Sequence, residues 1–220
     1  MIETGVLFDN IHSFFDLNLI LSVVEITPAS PKTVYVDIPG ADGALDLTEV
    51  HGEVKYSDRT FKFTFTMNPA FDLSERAWEE KKTEVSNCLN GLACRITLDK
   101  DPDYYWQGRC TVDSYKSNKR FRQFVVVARV RPYKFKQKET IKTFALTATA
   151  KTVSVPNSRR SVCPVITCTN DNAVIVFNGN TFAFNAGQHQ NLNIRFTEGI
   201  NQVTISGTGQ VTFTYQEGDL

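Results

Sequence analysis

Three aspartates lie close together in a short segment that also contains two turn-forming dipeptides. The residues concerned are Asp37, Pro39, Gly40, Asp42, Gly43 and Asp46. Calcium binds several carboxylate and carbonyl oxygens, so a loop of this composition has suitable ligands for a cation. The aspartates do not have the EF-hand spacing, however, and Pro-Gly and Asp-Gly pairs are typical of turns. Capping of the loop by Asx turns is therefore the better interpretation.

A second acidic run, Asp99–Asp103, matches the first three ligand positions of an EF-hand loop. Tyr104 stands where that loop needs glycine, and Cys110 stands where it needs a bidentate glutamate. The three histidines lie far apart, and the sequence has no serine-hydrolase or zinc-protease motif. We expect surface histidines without a role, no catalytic residue, no metal and no cofactor.

The net charge of zero conceals an uneven distribution. Residues 1–115 carry nine more acidic than basic side chains, and residues 116–142 carry nine more basic than acidic ones. A candidate basic surface comprises Lys116, Lys119, Arg120, Arg122, Arg129, Arg131 and Lys134. Three uses remain open for it: contact with single-stranded nucleic acid, a solvated face, or contact with the acidic segment 37–58 of another subunit.

Most of the chain has the residue pattern of β-strands. Apolar and β-branched residues predict strands over 17–26, 33–38, 61–67, 92–98, 106–115 and 121–130. One amphipathic helix is predicted over 74–89, with Asp72 or Ser74 as its cap, Trp78 in the core and Asn90-Gly91 at its end. Short strands over 173–177, 181–184, 191–196, 202–205 and 210–215 predict a small antiparallel β-sandwich.

The composition changes after Pro132, where charge falls and Thr, Asn and Gly become more frequent. We place an N-terminal domain over 1–138 and a C-terminal β-sandwich over 139–220. No apolar stretch approaches the length of a membrane helix, and Met1–Gly5 does not begin a secretory signal. Five cysteines without a spacing pattern suggest synthesis in a reducing compartment.

Several distinct motifs occur together in this chain. They are the segment Tyr35–Thr48, Gly52–Tyr56 with Arg59, the aromatic stretch Tyr105–Arg109, the Pro-Tyr-Lys stretch within Arg131–Phe135, Glu198–Asn201 and Gly207–Tyr215. In combination they resemble the distal tail protein (Dit) family of siphophages and related prophages of Gram-positive bacteria. The resemblance covers nearly the whole chain.

The resemblance implies a mainly β protein: an N-terminal β-sandwich hub domain with one α-helix and a projecting hairpin, followed by a galectin-like antiparallel β-sandwich. It implies a structural, non-enzymatic role in the virion tail tip after synthesis in the host bacterial cytoplasm. Six N-terminal domains would form a ring that joins the tail tube protein to the tail-tip or tail-associated lysin protein. A receptor-binding protein is a further possible partner, while membrane and specific nucleic-acid partners are not expected.

Two other functions stay open on the sequence. One is a carbohydrate-binding adhesion module for host cell-wall polysaccharide, although the C-terminal part contains no tryptophan on which a sugar would stack. The other is a cell-wall hydrolase, which would need a carboxylate pair or an activated nucleophile that the sequence does not identify.

Overall fold

The computed structural model describes residues 5–50, 52–70, 72–118 and 121–220. The chain forms two compact units, residues 1–132 and 133–220. The boundary therefore lies at Pro132, whereas the sequence analysis places it after Lys138. No helix in the described residues is long and apolar enough to cross a membrane.

The first unit is built around one antiparallel sheet. Its elements are β1 (Val6–Phe8), β2 (Ile11–His12), β3 (Leu19–Ile26), β4 (Tyr35–Asp37), β5 (Ala44–Asp46), β6 (Arg59–Met67), α1 (Glu75–Leu89), β7 (Ala93–Leu98), β8 (Tyr104–Ser117) and β9 (Arg122–Val130). The sheet order is β2-β1-β7-β8-β9-β6-β3, and β4 and β5 form a separate two-stranded ribbon. The prediction of a mainly β fold with one helix is confirmed.

The core of the first unit lies between one face of this sheet and the helix. Phe61, Phe63 and Phe65 alternate with polar residues and are fully buried, as the period of two in β6 predicts. The helix begins after Ser74, whose hydroxyl oxygen accepts a hydrogen bond from the Ala77 amide at 3.2 Å. Its Trp78 is buried in the same core, which confirms the predicted helix and its inward face.

The second unit is a sandwich of two four-stranded antiparallel sheets. Its strands are β10 (Lys134–Lys136), β11 (Thr140–Ala145), β12 (Lys151–Asn157), β13 (Val165–Cys168), β14 (Ala173–Phe177), β15 (Asn180–Phe184), β16 (Gly187–Gln190), β17 (Gly199–Ser206), β18 (Gln210–Tyr215) and β19 (Gly218–Asp219). One sheet has the order β11-β18-β13-β16 and the other β12-β17-β14-β15. Strand β10 pairs with β19, so this unit begins before the predicted boundary.

The prediction of a strand over 191–196 is wrong. The preceding strand, β16, ends at Gln190, before this segment begins. The Asn191 side chain accepts a hydrogen bond from the Asn193 amide at 2.9 Å, and its carbonyl accepts one from the Ile194 amide at 3.1 Å. This Asx turn competes with strand pairing. Ile194 and Phe196 are nevertheless buried, so the apolar residues mark core positions without forming a strand.

Candidate interaction surfaces

The predicted aspartate loop lies in a long two-stranded extension of the first unit. We call residues 27–58, which connect β3 to β6, the arm. Backbone hydrogen bonds hold its two sides together, from the Lys32 amide to the Lys55 carbonyl at 2.7 Å and from the Leu47 amide to the Val34 carbonyl at 2.8 Å. Gly40 has a φ of 86°, which favours glycine in the turn at the tip. The arm confirms the expected projecting hairpin.

The ribbon in the arm is amphipathic, yet both of its faces are exposed. Val36 lies opposite Leu45 and shares a face with Val34, whereas Tyr35 lies opposite Asp46 on the other face. The apolar residues Val34, Val36 and Leu45 are 50%, 44% and 49% exposed. No described residue of the arm belongs to the hydrophobic core. Because a two-stranded ribbon alone is only marginally stable, packing of this apolar face against another surface would stabilise the arm.

The three aspartates of the arm differ in what they contact. Asp46 accepts a hydrogen bond from the Thr48 amide at 2.9 Å. Hydrogen bonds from the Thr48 hydroxyl and amide hold the pKa of Asp46 below its usual value. This confirms an Asx cap at Asp46. Asp37 and Asp42 are exposed and make no hydrogen bond or ion pair to any described residue, which leaves both carboxylates available to a partner.

The structure separates the residues of the candidate basic surface. Lys116 is exposed on the sheet face away from the core, but Arg122 lies on the core side, where its guanidinium donates to both carboxylate oxygens of Glu75 at 2.8 and 3.3 Å. Lys134 belongs to the second unit. Lys119 and Arg120 lie outside the described residues. Arg129 and Arg131 are exposed, so only part of the predicted set shares a surface.

Arg129 and Arg131 lie beside two further arginines, Arg95 and Arg109, across three neighbouring strands. Arg109 is directly opposite Arg129 in the β8–β9 pair. Arg95 lies opposite Gln107, whose carbonyl accepts a hydrogen bond from the Arg131 amide at 2.9 Å. All four arginines are exposed and line an open groove of about 800 Å³. We call this the arginine groove.

Two aspartates in the arginine groove neutralise only part of its positive charge. Asp58 pairs with the Arg129 side chain at 2.9 Å, and Asp9 accepts a hydrogen bond from the Arg95 backbone amide at 2.8 Å. The Arg109 side chain donates to the Gly91 carbonyl, which carries no formal charge. The Arg131 side chain has no hydrogen-bond or ion-pair partner among the described residues. Arginines directly opposite each other are mutually repulsive, so the arginine groove favours an anionic partner.

Arg95 and Arg109 were not predicted as part of this surface because they lie outside the basic block. The alternation of apolar and polar residues along their strands nevertheless indicates which way they face. Cys94 and Ile96 flank Arg95 and are buried, as is Cys110 next to Arg109, so both arginines occupy outward positions. The register between β7, β8 and β9 then brings them together with Arg129.

His12 differs from the expectation of surface histidines without a role. Its side chain is 11% exposed, and Nε2 lies 3.2 Å from both carboxylate oxygens of Asp99. Nδ1 accepts hydrogen bonds from the Phe14 and Phe15 amides at 3.1 and 3.2 Å. Both ring nitrogens are thus engaged in holding the β2 turn against the Asp99 loop, which is a structural role. The described residues contain no group of three or more potential metal ligands.

The fold of the whole chain is that of a solved phage protein. Superposition on the crystal structure of SPP1 Dit (gp 19.1) gives a TM-score of 0.71 over 99% of each chain, at 14% sequence identity. This protein has the Dit fold. SPP1 Dit is described as a paradigm of the hub adsorption apparatus in phages that infect Gram-positive bacteria. No protein-family model matches the present sequence, and a search of curated proteins finds no match. The Dit fold confirms the resemblance in the sequence motifs.

Proposed function

We propose that this protein is a structural hub of a phage tail tip and not an enzyme. Six copies close a ring that joins the tail tube to the tail-tip or tail-associated lysin protein. The first unit forms the ring, while the second is a galectin-like module that points outward and holds a receptor-binding protein. The fold shared with SPP1 Dit supports this role, and the resemblance of the sequence motifs supports the siphophage setting.

The arm is the observation that carries the proposal. It exposes an apolar face and unpaired carboxylates that nothing in the described part of its own unit covers. A closed ring of identical subunits uses two different complementary patches on each subunit, and the arm and the sheet are such patches.

Strand β3 is also an open sheet edge of eight residues, with Val23 and Ile26 exposed. Ring closure would cover part of this edge, which otherwise invites uncontrolled pairing.

Light scattering combined with negative-stain imaging tests this function. We expect a ring-shaped particle with a mass of about 150 kDa, which corresponds to six chains of 24.8 kDa. Removal of residues 30–57, replaced by a short Gly-Ser linker, should leave a folded chain that no longer closes a ring. A strict monomer at high concentration, with the arm intact, contradicts self-assembly.

No observation favours the carbohydrate-binding alternative, because the second unit has no exposed aromatic ring.

A further inference from the structure

Two features of the first unit have unmatched charges of opposite sign. The tip of the arm presents Asp37 and Asp42, which have no partner among the described residues. The arginine groove has four arginines against two aspartates. Guanidinium groups bind carboxylates, as they bind phosphates, often through two parallel hydrogen bonds.

We propose that the arginine groove of one copy receives the acidic tip of the arm of a second copy. In this contact Asp37 and Asp42 pair with Arg109 and Arg131, whose side chains have no carboxylate partner among the described residues. The inference rests on the proposed hub function, since it identifies the surface through which neighbouring copies recognise each other. Of the predicted basic surface from Lys116 to Lys134 it retains Arg129 and Arg131, and it adds Arg95 and Arg109.

A second copy fits better than the arm of the same chain. The base of the arm lies beside the arginine groove, because Asp58 at its end pairs with Arg129. The tip, in contrast, is exposed on both faces of the ribbon, so it does not lie in the groove of its own chain. Fully extended, residues 27–40 reach at most about 46–50 Å, which exceeds the diameter of about 36 Å expected for a compact unit of this size. The arm is therefore long enough to cross a neighbouring unit.

The contact also explains the order of subunits in a closed assembly. Each chain has one arm and one arginine groove, which produces a head-to-tail arrangement. Opposite charges on the two patches select this arrangement over arm-to-arm or groove-to-groove contacts. A nucleic acid matches less well, because Asp9 and Asp58 lie among the arginines and would repel closely spaced phosphates.

A charge-exchange experiment tests the contact. One variant, D37R/D42R, makes the arm tip basic, and the other, R109E/R131E, makes the arginine groove more acidic. For each variant alone, the association constant measured by sedimentation velocity should fall at least about a hundredfold, because like charges then face each other. An equimolar mixture should recover assembly, because every contact in an alternating ring of even number is again between opposite charges.

The matched control for the arm variant is D103R/E139R, which makes the same change of charge at two exposed residues that have no side-chain partner among the described residues. This variant should assemble like the wild type, and thermal melting should show that all variants remain folded. The inference is overturned if either arm or groove variant assembles normally, or if the folded mixture does no better than each variant alone. It is also overturned if R109E/R131E loses binding of a single-stranded oligonucleotide but retains assembly.

The outcome for the wild type separates this inference from the hub function. If the wild type forms rings that neither charge reversal weakens, the arm–groove contact is wrong while the ring remains. If the wild type stays monomeric at its highest soluble concentration, the contact is again overturned. A hub role in which tail partners drive assembly would survive that second result.

Discussion

Glu217 is a buried hydrogen-bond acceptor in the second unit, and we expect Glu217→Gln to destabilise that unit. The carboxylate accepts from the Lys136 ammonium at 2.8 Å and the Ser158 hydroxyl at 2.5 Å, and also from the Thr140 hydroxyl. Its side chain is 10% exposed. These donors come from three separate segments, so the carboxylate joins β10 and β11 to the turn that follows β12.

The magnitude follows from the charge that the amide lacks. A hydrogen bond to a charged group contributes about 1.5–3 kcal/mol, against about 0.5–1.5 kcal/mol for a bond between neutral groups. Lys136 and Ser158 both donate to Oε2, so a glutamine oxygen there keeps these two bonds in the weaker neutral form, while the NH₂ group replaces the oxygen that faces the Thr140 hydroxyl. The neutral amide costs less to bury than the carboxylate, which offsets part of the loss. We expect the free energy of unfolding to fall by about 2–4 kcal/mol at neutral pH.

The effect should depend on pH in a defined direction. Burial raises the pKa of Glu217, but the hydrogen bonds from Lys136, Ser158 and Thr140 outweigh it, so the net pKa lies below its usual value. A lowered pKa in the folded state stabilises the protein above the pKa of the unfolded state. This contribution is lost as the pH falls through the folded-state pKa. The difference between wild type and Glu217→Gln should therefore shrink in acid.

Urea unfolding followed by circular dichroism at pH 7 and below pH 4 measures this difference. Glu139→Gln is the matched control, since Glu139 is exposed and has no recorded partner. It should change the free energy of unfolding by less than about 0.5 kcal/mol. A Glu217→Gln protein as stable as the wild type at pH 7, or a difference that grows in acid, would refute the reasoning.

Three further predictions concern the first unit. Phe63→Ala should lower the free energy of unfolding by about 3–5 kcal/mol, because its fully buried ring leaves a cavity; urea unfolding measures the loss. Ser74→Ala should cost about 1 kcal/mol in the same assay, since the Ala77 amide loses its cap, and Ser74→Asp should restore it. Val36→Asn with Leu45→Asn should weaken self-association at least about tenfold in sedimentation velocity without lowering the melting temperature, because both side chains are already half exposed in the single chain. An unchanged association constant would contradict a role for the apolar face.

Local signals in the sequence predict the elements whose structure depends on near neighbours. The helix cap at Ser74, the alternation in Phe61–Met67 and the Asn178-Gly179 turn are all read from a few consecutive residues. Asn178 and Gly179 indeed have positive φ values of 49° and 78° and connect β14 to β15. The failure at 191–196 has the same origin, since the turn propensity of Asn191 outweighs the strand propensity of Ile194 and Phe196.

The candidate site was predictable only in part because it depends on strand register. The acidic half lies in one continuous segment and was visible in the sequence. The arginine groove combines residues from β7, β8 and β9, and only the pairing of those strands places Arg95 and Arg109 beside Arg129. Arg122 shows the opposite error: it belongs to the basic block, but it has the same parity as the buried Phe124 and so faces the core.

Electron microscopy of the assembled protein would show directly whether the arm joins neighbouring copies. We expect a six-fold ring in which the arm of each copy lies against its neighbour, with Asp37 and Asp42 at the arginine groove. Single chains with exposed arms, or a ring in which the arms face solvent or the central channel, would contradict it.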